Sequence, residues 1–193
     1  MSLEDYLGCL LGADGAVRCW GTALDQYDPV EPTLVPSLSG VIQVSVGLGY
    51  ACARTSGDGV KCWGHNQHGN LGDGTTEERL RPVAVSGLTN ALEISAGAFH
   101  ACAVLSDGTV RCWGNNRSGQ LGDGTQGLNA ISSTPVPVSG LRDVIHVAAG
   151  EYYTCVERKN GDVMCWGYNG FGALGTGTTQ DEIHPVLVDL GGG

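Results

Sequence analysis

The stretch His100-Ala-Cys-Ala-Val-Leu-Ser-Asp-Gly-Thr-Val-Arg-Cys-Trp-Gly-Asn-Asn-Arg-Ser-Gly-Gln-Leu-Gly-Asp-Gly-Thr125 decides the fold. Two Cys-containing runs flank Asp107-Gly108, and such a dipeptide supplies the positive φ that a tight hairpin turn demands. Upstream, Ala91 to Ala96 reads as a short strand of small and branched residues closed by Gly97. Downstream, Pro135-Val-Pro-Val138 reads as a further strand, since proline is tolerated at strand starts and sheet edges. One stretch therefore predicts four short antiparallel strands.

The same unit recurs. Cys-Trp-Gly stands at Cys19, Cys62, Cys112 and Cys165, a period of about 50 residues, which is the size of a propeller blade. First strands are expected at Val41 to Val46 and Val144 to Ala149, and hairpin turns at Asp14-Gly15 and Asn160-Gly161, with Gly57-Asp58 departing slightly in the second unit. Fourth strands are expected at Arg81 to Val85 and His184 to Val188. The fold class is all-β, built from β-propeller blades of four antiparallel strands, about four in this chain. The units divide as an incomplete first repeat 1–40, then 41–90, 91–143 and 144–193, in one propeller-type domain. The first unit lacks its first strand and carries an acidic, proline-bearing segment from Thr22 to Pro32.

Eight cysteines fall into four pairs, each ten residues apart: Cys9 with Cys19, Cys52 with Cys62, Cys102 with Cys112 and Cys155 with Cys165. If the turn is a three-residue loop with Gly in the left-handed region, residues ten apart stand opposite each other on one face of the hairpin. A disulfide within each blade follows, and an oxidising, secreted or cell-surface location with it. Inter-blade pairing, or buried free thiols, are the alternatives; zinc is disfavoured because the spacing is not that of zinc ligands.

Composition narrows the function. Gly makes up 32 of the 193 residues, which suits many tight turns. Ten basic against 20 acidic residues give a net charge of −10, so nucleic acid and anionic membrane surfaces are not expected partners. No apolar run approaches the roughly 18–20 residues of a membrane span, and the start of the chain lacks the basic-then-apolar pattern of a signal peptide.

The motifs Gly-x-x-His-x-Cys, Asp-Gly-x-Val-x-Cys-Trp-Gly-x-Asn and Gly-Gln-Leu-Gly-Asp-Gly-Thr together resemble the repeat of the regulator of chromosome condensation family. The Trp-Gly, Asn, Gly, Leu-Gly and Gly-Thr columns recur in phase from Trp63 to Thr75, Trp113 to Thr125 and Trp166 to Thr178. The resemblance implies a propeller, typically of seven blades, whose faces and loops bind proteins. Members of the family include exchange factors for a small GTPase and a secreted bacterial β-lactamase inhibitor, and the paired cysteines resemble the secreted branch. Four units are fewer than the usual ring, which leaves a fragment, a smaller ring, an open arc or a ring completed by a second copy.

Chemistry finds little support. Gly170 to Gly175 matches a dinucleotide fingerprint but lies on repeat columns, where it reads as a turn. His65 and His68 read as solvated loop histidines, and His100, sharing a column with Tyr50 and Tyr153, reads as a blade-packing residue. Asp73 and Asp123 read as turn caps, and Asn116 of the sequon Asn116-Arg117-Ser118 as a turn stabiliser. The tryptophans at 20, 63, 113 and 166 read as blade cores. No catalytic residue, metal ligand or cofactor is expected, and the protein is read as no enzyme.

Within a repeat protein, shared columns build the scaffold and variable loop columns are free to carry function. The turn between first and second strands varies as Asp5-Tyr6, Leu48-Gly49, Ala98-Phe99 and Glu151-Tyr152, all expected on one face. Asp5, Tyr6, Leu48, Phe99, Glu151 and Tyr152 are the expected partner-binding residues, with Tyr168 and Phe171 in reserve, because rigid aromatics rimmed by polar groups suit protein interfaces. The expected function is a non-catalytic, inhibitor-like protein-binding module; the alternative is a fragment whose blades complete a ring in a homo-oligomer.

Overall fold

A computed structural model of the chain describes residues 7–21, 31–57 and 59–189. Those residues form four antiparallel sheets that follow one another along the chain, with no helix among them. The first sheet has three strands, β1 (Leu7–Leu11), β2 (Val17–Gly21) and β3 (Thr33–Leu34). The second holds β4 (Val41–Val46), β5 (Tyr50–Thr55), β6 (Val60–Gly64) and β7 (Arg79–Ala84). The third holds β8 (Ala91–Ala96), β9 (His100–Leu105), β10 (Val110–Asn115) and β11 (Ile131–Pro137). The fourth holds β12 (Val144–Ala149), β13 (Tyr153–Arg158), β14 (Val163–Gly167) and β15 (Glu182–Leu187). These are propeller blades, with neighbouring strands joined in simple up-and-down order.

The central hairpins form as their turns dictate. Leu105 N donates to Thr109 O and Gly108 N to Leu105 O, closing a three-residue loop with Gly108 at φ 76°. Asp107 accepts from the amide and hydroxyl of Thr109, which pins the loop. In this frame Cys102 stands directly opposite Cys112, and the other three pairs align identically. Disulfides bridge all four, with Cα separations of 4.0–4.1 Å. Each closes a short loop, worth about 3 kcal/mol on the chain-entropy account.

The outer strands start earlier than their prolines suggested: at Arg79, Ile131 and Glu182 rather than Arg81, Pro135 and His184. The cause is a bulge. Cys112 faces Val136, but two residues on, Gly114 faces Ser132, so β11 carries two extra residues there and pairs again upstream. The same offset occurs at Gly64 opposite Arg79 and Gly167 opposite Glu182. The prolines sit inside outermost strands, where a missing donor costs no ladder bond on the open side.

The Trp-Gly pair has a physical reason. Gly114 sits at φ 108°, and a Cβ there would lie 2.6 Å from Phe99 O. Only glycine lets the inner hairpin fold this closely. Trp63, Trp113 and Trp166 pack against the preceding blade rather than inside their own, whereas Trp20 lies over Gly8 of its own sheet. Trp113 is buried with Leu71, Val85 and Leu88 of the preceding blade, and Trp166 with Leu121, Val138 and Leu141. Their indole nitrogens donate backwards, Trp113 Nε1 to Asn70 O at 2.9 Å and Trp166 Nε1 to Gln120 O at 2.8 Å. The expectation of blade cores is corrected accordingly: a four-stranded sheet two faces wide has no interior of its own, so its apolar surface is buried only by a neighbour.

Candidate protein-binding face

Two sets of loops meet on one face. The turns after β4, β8 and β12 are tied in succession, Leu48 N to Ala98 O and Ala98 N to Gly150 O. The loops after β6, β10 and β14 are hung from those turns, through His65 N to Gly49 O, Asn115 N to Phe99 O and Tyr168 N to Tyr152 O. Inside each loop a buried Asn acts as the post. Asn116 Oδ1 accepts from Leu121 N, while its Nδ2 donates to Asp123 Oδ1, Thr125 O and Thr125 Oγ1. Asn66 is held in the same way, and Asn169 bonds Leu174 N, Thr176 and Thr178. Asp73 and Asp123 cap their turns through Thr75 and Thr125.

On that scaffold the aromatic side chains come together. Phe99 and Tyr152 stack with ring centroids 5.4 Å apart, and His68 meets Phe99 edge-on at 5.2 Å. Burial of the imidazole against Phe99 pushes its pKa below the ordinary value. The expectation that His68 is a solvated loop residue is therefore corrected: the loop of one blade leans over the turn of the next and sets His68 on Phe99. His65 stays half-exposed, 3.9 Å from Glu78.

Glu151 and Tyr152 line a groove of about 460 Å³ with Arg117, Ser118, Tyr168 and Phe171. Tyr168 and Phe171 meet edge-on at 5.9 Å, and Phe171 is 90% exposed. Burial first, and the Glu151 carboxylate second, raise the Tyr152 phenol above its usual pKa. Leu48 lies apart from this groove, in an open depression of about 390 Å³ walled by Val46, Ala96, Ala98, Ala149 and Leu7. Asp5 and Tyr6 lie outside the described residues.

Polar contacts also cross the joints beneath the face. Tyr50 Oη reaches His100 O at 2.6 Å and Gly97 O at 3.0 Å in the next blade, and desolvation raises its pKa. His100 is fully buried and meets Thr154 Oγ1 at 2.8 Å through Nε2; because that hydroxyl donates to Gln120 O, His100 is the donor. Its Nδ1 has no partner among the described residues, and burial pushes the imidazole down to about 4. Such a histidine is a neutral packing group. No group of three or more His, Cys, Asp or Glu capable of holding a metal occurs among the described residues.

Repeat models described as the regulator of chromosome condensation (RCC1) repeat match residues 59–104, 107–156 and 160–193, and in an overlapping register 41–70, 92–120 and 144–173. The chain belongs to the RCC1 repeat family. Among relatives, it is 33% identical over 150 residues to the ultraviolet-B receptor UVR8 of Arabidopsis thaliana, covering 77% of this chain and 34% of that protein. It is 32% identical over 163 residues to the probable E3 ubiquitin-protein ligase HERC4 of Homo sapiens, covering 81% of this chain and 15% of HERC4. The chain thus spans about a third or less of these relatives' lengths. The yeast RCC1 protein Prp20 superposes over 96% of this chain and 48% of its own in the complex with Kap60, with a TM-score of 0.83 at 22% identity. Human WBSCR16 superposes over 96% of this chain and 51% of its own, with a TM-score of 0.82 at 25% identity.

Proposed function

We propose that this RCC1-type unit is a non-catalytic protein-binding module that engages its partner through the face carrying Phe99, Glu151 and Tyr152. The observation that carries the reading is the run of aromatic rings from His68 through Phe99 to Tyr152, continued across the groove by Tyr168 and Phe171. Rigid aromatics grouped on one face form the pattern of an interface anchor. Leu48 supplies a smaller apolar contact in its own depression. The solved Kap60 complex of yeast RCC1 is an instance of protein binding by a related fold. Four disulfides favour action in an oxidising, extracytoplasmic compartment, where an inhibitor-like occupation of a partner's surface needs no chemistry of its own. The test is affinity capture from the extracellular fraction of the source organism, using the chain and its Phe99→Ala/Tyr152→Ala variant. A protein retained by the first and lost by the second is expected; equal retention by both refutes the face.

A second reading rests on the outward side of the fourth blade. Tyr153 shares the column of fully buried Tyr50, yet is only partly buried and its hydroxyl has no acceptor among the described residues. That side is built to take a further blade, from the same polypeptide or from a second copy. Native mass spectrometry tests the latter, with a discrete oligomer expected and a monomer at all concentrations refuting it.

A further inference from the structure

Resting on the protein-binding reading, we propose that the groove over Tyr152, between the third and fourth blades, seats an arginine side chain of the partner protein. The groove arises from three departures of one joint from its neighbour. Between the second and third blades, His68 fills the space above Phe99. In the next joint the His68 column holds Ser118, too small to cover Tyr152, so the space opens. The far wall is rebuilt in aromatics: Tyr168 replaces the column of Asn115, and Phe171 the column of Ser118. Gly170 makes this possible, because a Cβ there would collide with the Tyr168 hydroxyl that lies over it.

The chemistry of the lining selects a planar cation. Tyr152, Tyr153, Tyr168 and Phe171 line the opening, and an aromatic ring face attracts a guanidinium within about 6 Å. The carboxylate of Glu151 stands at the lip and forms no ion pair among the described residues. The chain as a whole carries a net charge of −10, which favours approach of a cationic partner. Arginine fits better than lysine, being flat, weakly hydrated and able to stack while donating in a fork to Glu151. Arg117 on the opposite wall also forms no ion pair among the described residues, and it fixes polarity: the cation lies toward Glu151 and Phe171, and a carbonyl or carboxylate of the same segment toward Arg117.

The experiment titrates the isotope-labelled chain with three acetylated, amidated tripeptides, Gly-X-Gly, in which X is arginine, its neutral isostere citrulline, or leucine. The arginine peptide is expected to move the amide signals of Glu151, Tyr152 and 170–173, with citrulline binding about tenfold more weakly. Glu151→Gln is expected to erase that preference. Ser118→His, which rebuilds the filled joint seen at His68, is expected to abolish binding while preserving the spectrum elsewhere. Equal binding of all three peptides overturns the arginine seat yet leaves an interface in place, and shifts confined to other loops, or none, overturn the seat outright. The capture experiment with Phe99→Ala/Tyr152→Ala reports separately on the face.

Discussion

Acidification should destabilise this protein chiefly through His100, with a smaller contribution of the same sign from His68. Its imidazole is fully buried, donates to Thr154 and has a pKa depressed to about 4 against 6.5 for a free histidine. Between those values the unfolded chain carries the proton and the folded chain does not. The unfolded state therefore binds more protons, and stability falls as pH drops from about 6.5 to about 4, then levels off for this group. The difference amounts to about 3 kcal/mol. The second blade shows how to remove the effect, since its tyrosine, Tyr50, faces Ala101 in the column where His100 faces Thr154. Urea unfolding of the chain and of His100→Tyr/Thr154→Ala across pH 7 to 4 separates this term from the carboxylates. The double variant should lose most of the acid dependence in this window, while either single change destabilises at pH 7 by mismatching the joint. Equal pH dependence in parent and double variant would refute the assignment.

Replacing Cys102 and Cys112 with alanine should lower stability by about 3 kcal/mol in urea unfolding, an effect that reductant reproduces only under unfolding conditions because both sulfurs are buried. Trp113→Phe should cost about 1 kcal/mol more than the loss of ring area alone, and more than Trp166→Phe, because Gln120 O keeps the Thr154 hydroxyl when Trp166 is lost. Gly114→Ala should cost roughly 2 kcal/mol or more by calorimetry, from a φ of 108° and backbone in the way of any Cβ. Secretion through a glycosylating host should give folded protein with Asn116 unmodified by intact mass, since its amide is buried and spent on the loop, and a glycan on soluble folded chain would contradict the loop geometry.

Strand periodicity, turn glycines and cysteine spacing were legible because each is fixed within about ten residues of chain. Val41–Val46, Ala91–Ala96 and Val144–Ala149 fall where the alternation placed them. The outer strands were read short because their upstream halves lie beyond a bulge that no residue type announces. Phe99 and Tyr152 could be singled out by comparing columns between units, and the structure stacks them. His68 escaped because its contact depends on how far one blade leans over the next, a tertiary offset invisible in a single repeat. A signal did exist: His68, Ser118 and Phe171 form one variable column, with two aromatic rings in three positions. Leu48 and Ala98 share a column with Glu151 but border the separate depression beside Val46, Ala96 and Ala149, which column position alone does not encode.

The bonds between blades end largely on main-chain oxygens: Asn70 O, Gln120 O, Gly97 O and His100 O accept from the neighbouring tryptophan or tyrosine. An acceptor present in every residue imposes no identity on the loop that supplies it. A unit can then be duplicated, deleted or exchanged by recombination with few compensating changes next door, the His100–Thr154 pair being a joint where both sides must change together. The loops are left to diversify after each such event, so one joint can acquire a filled seat and the next an open groove on the same inherited frame.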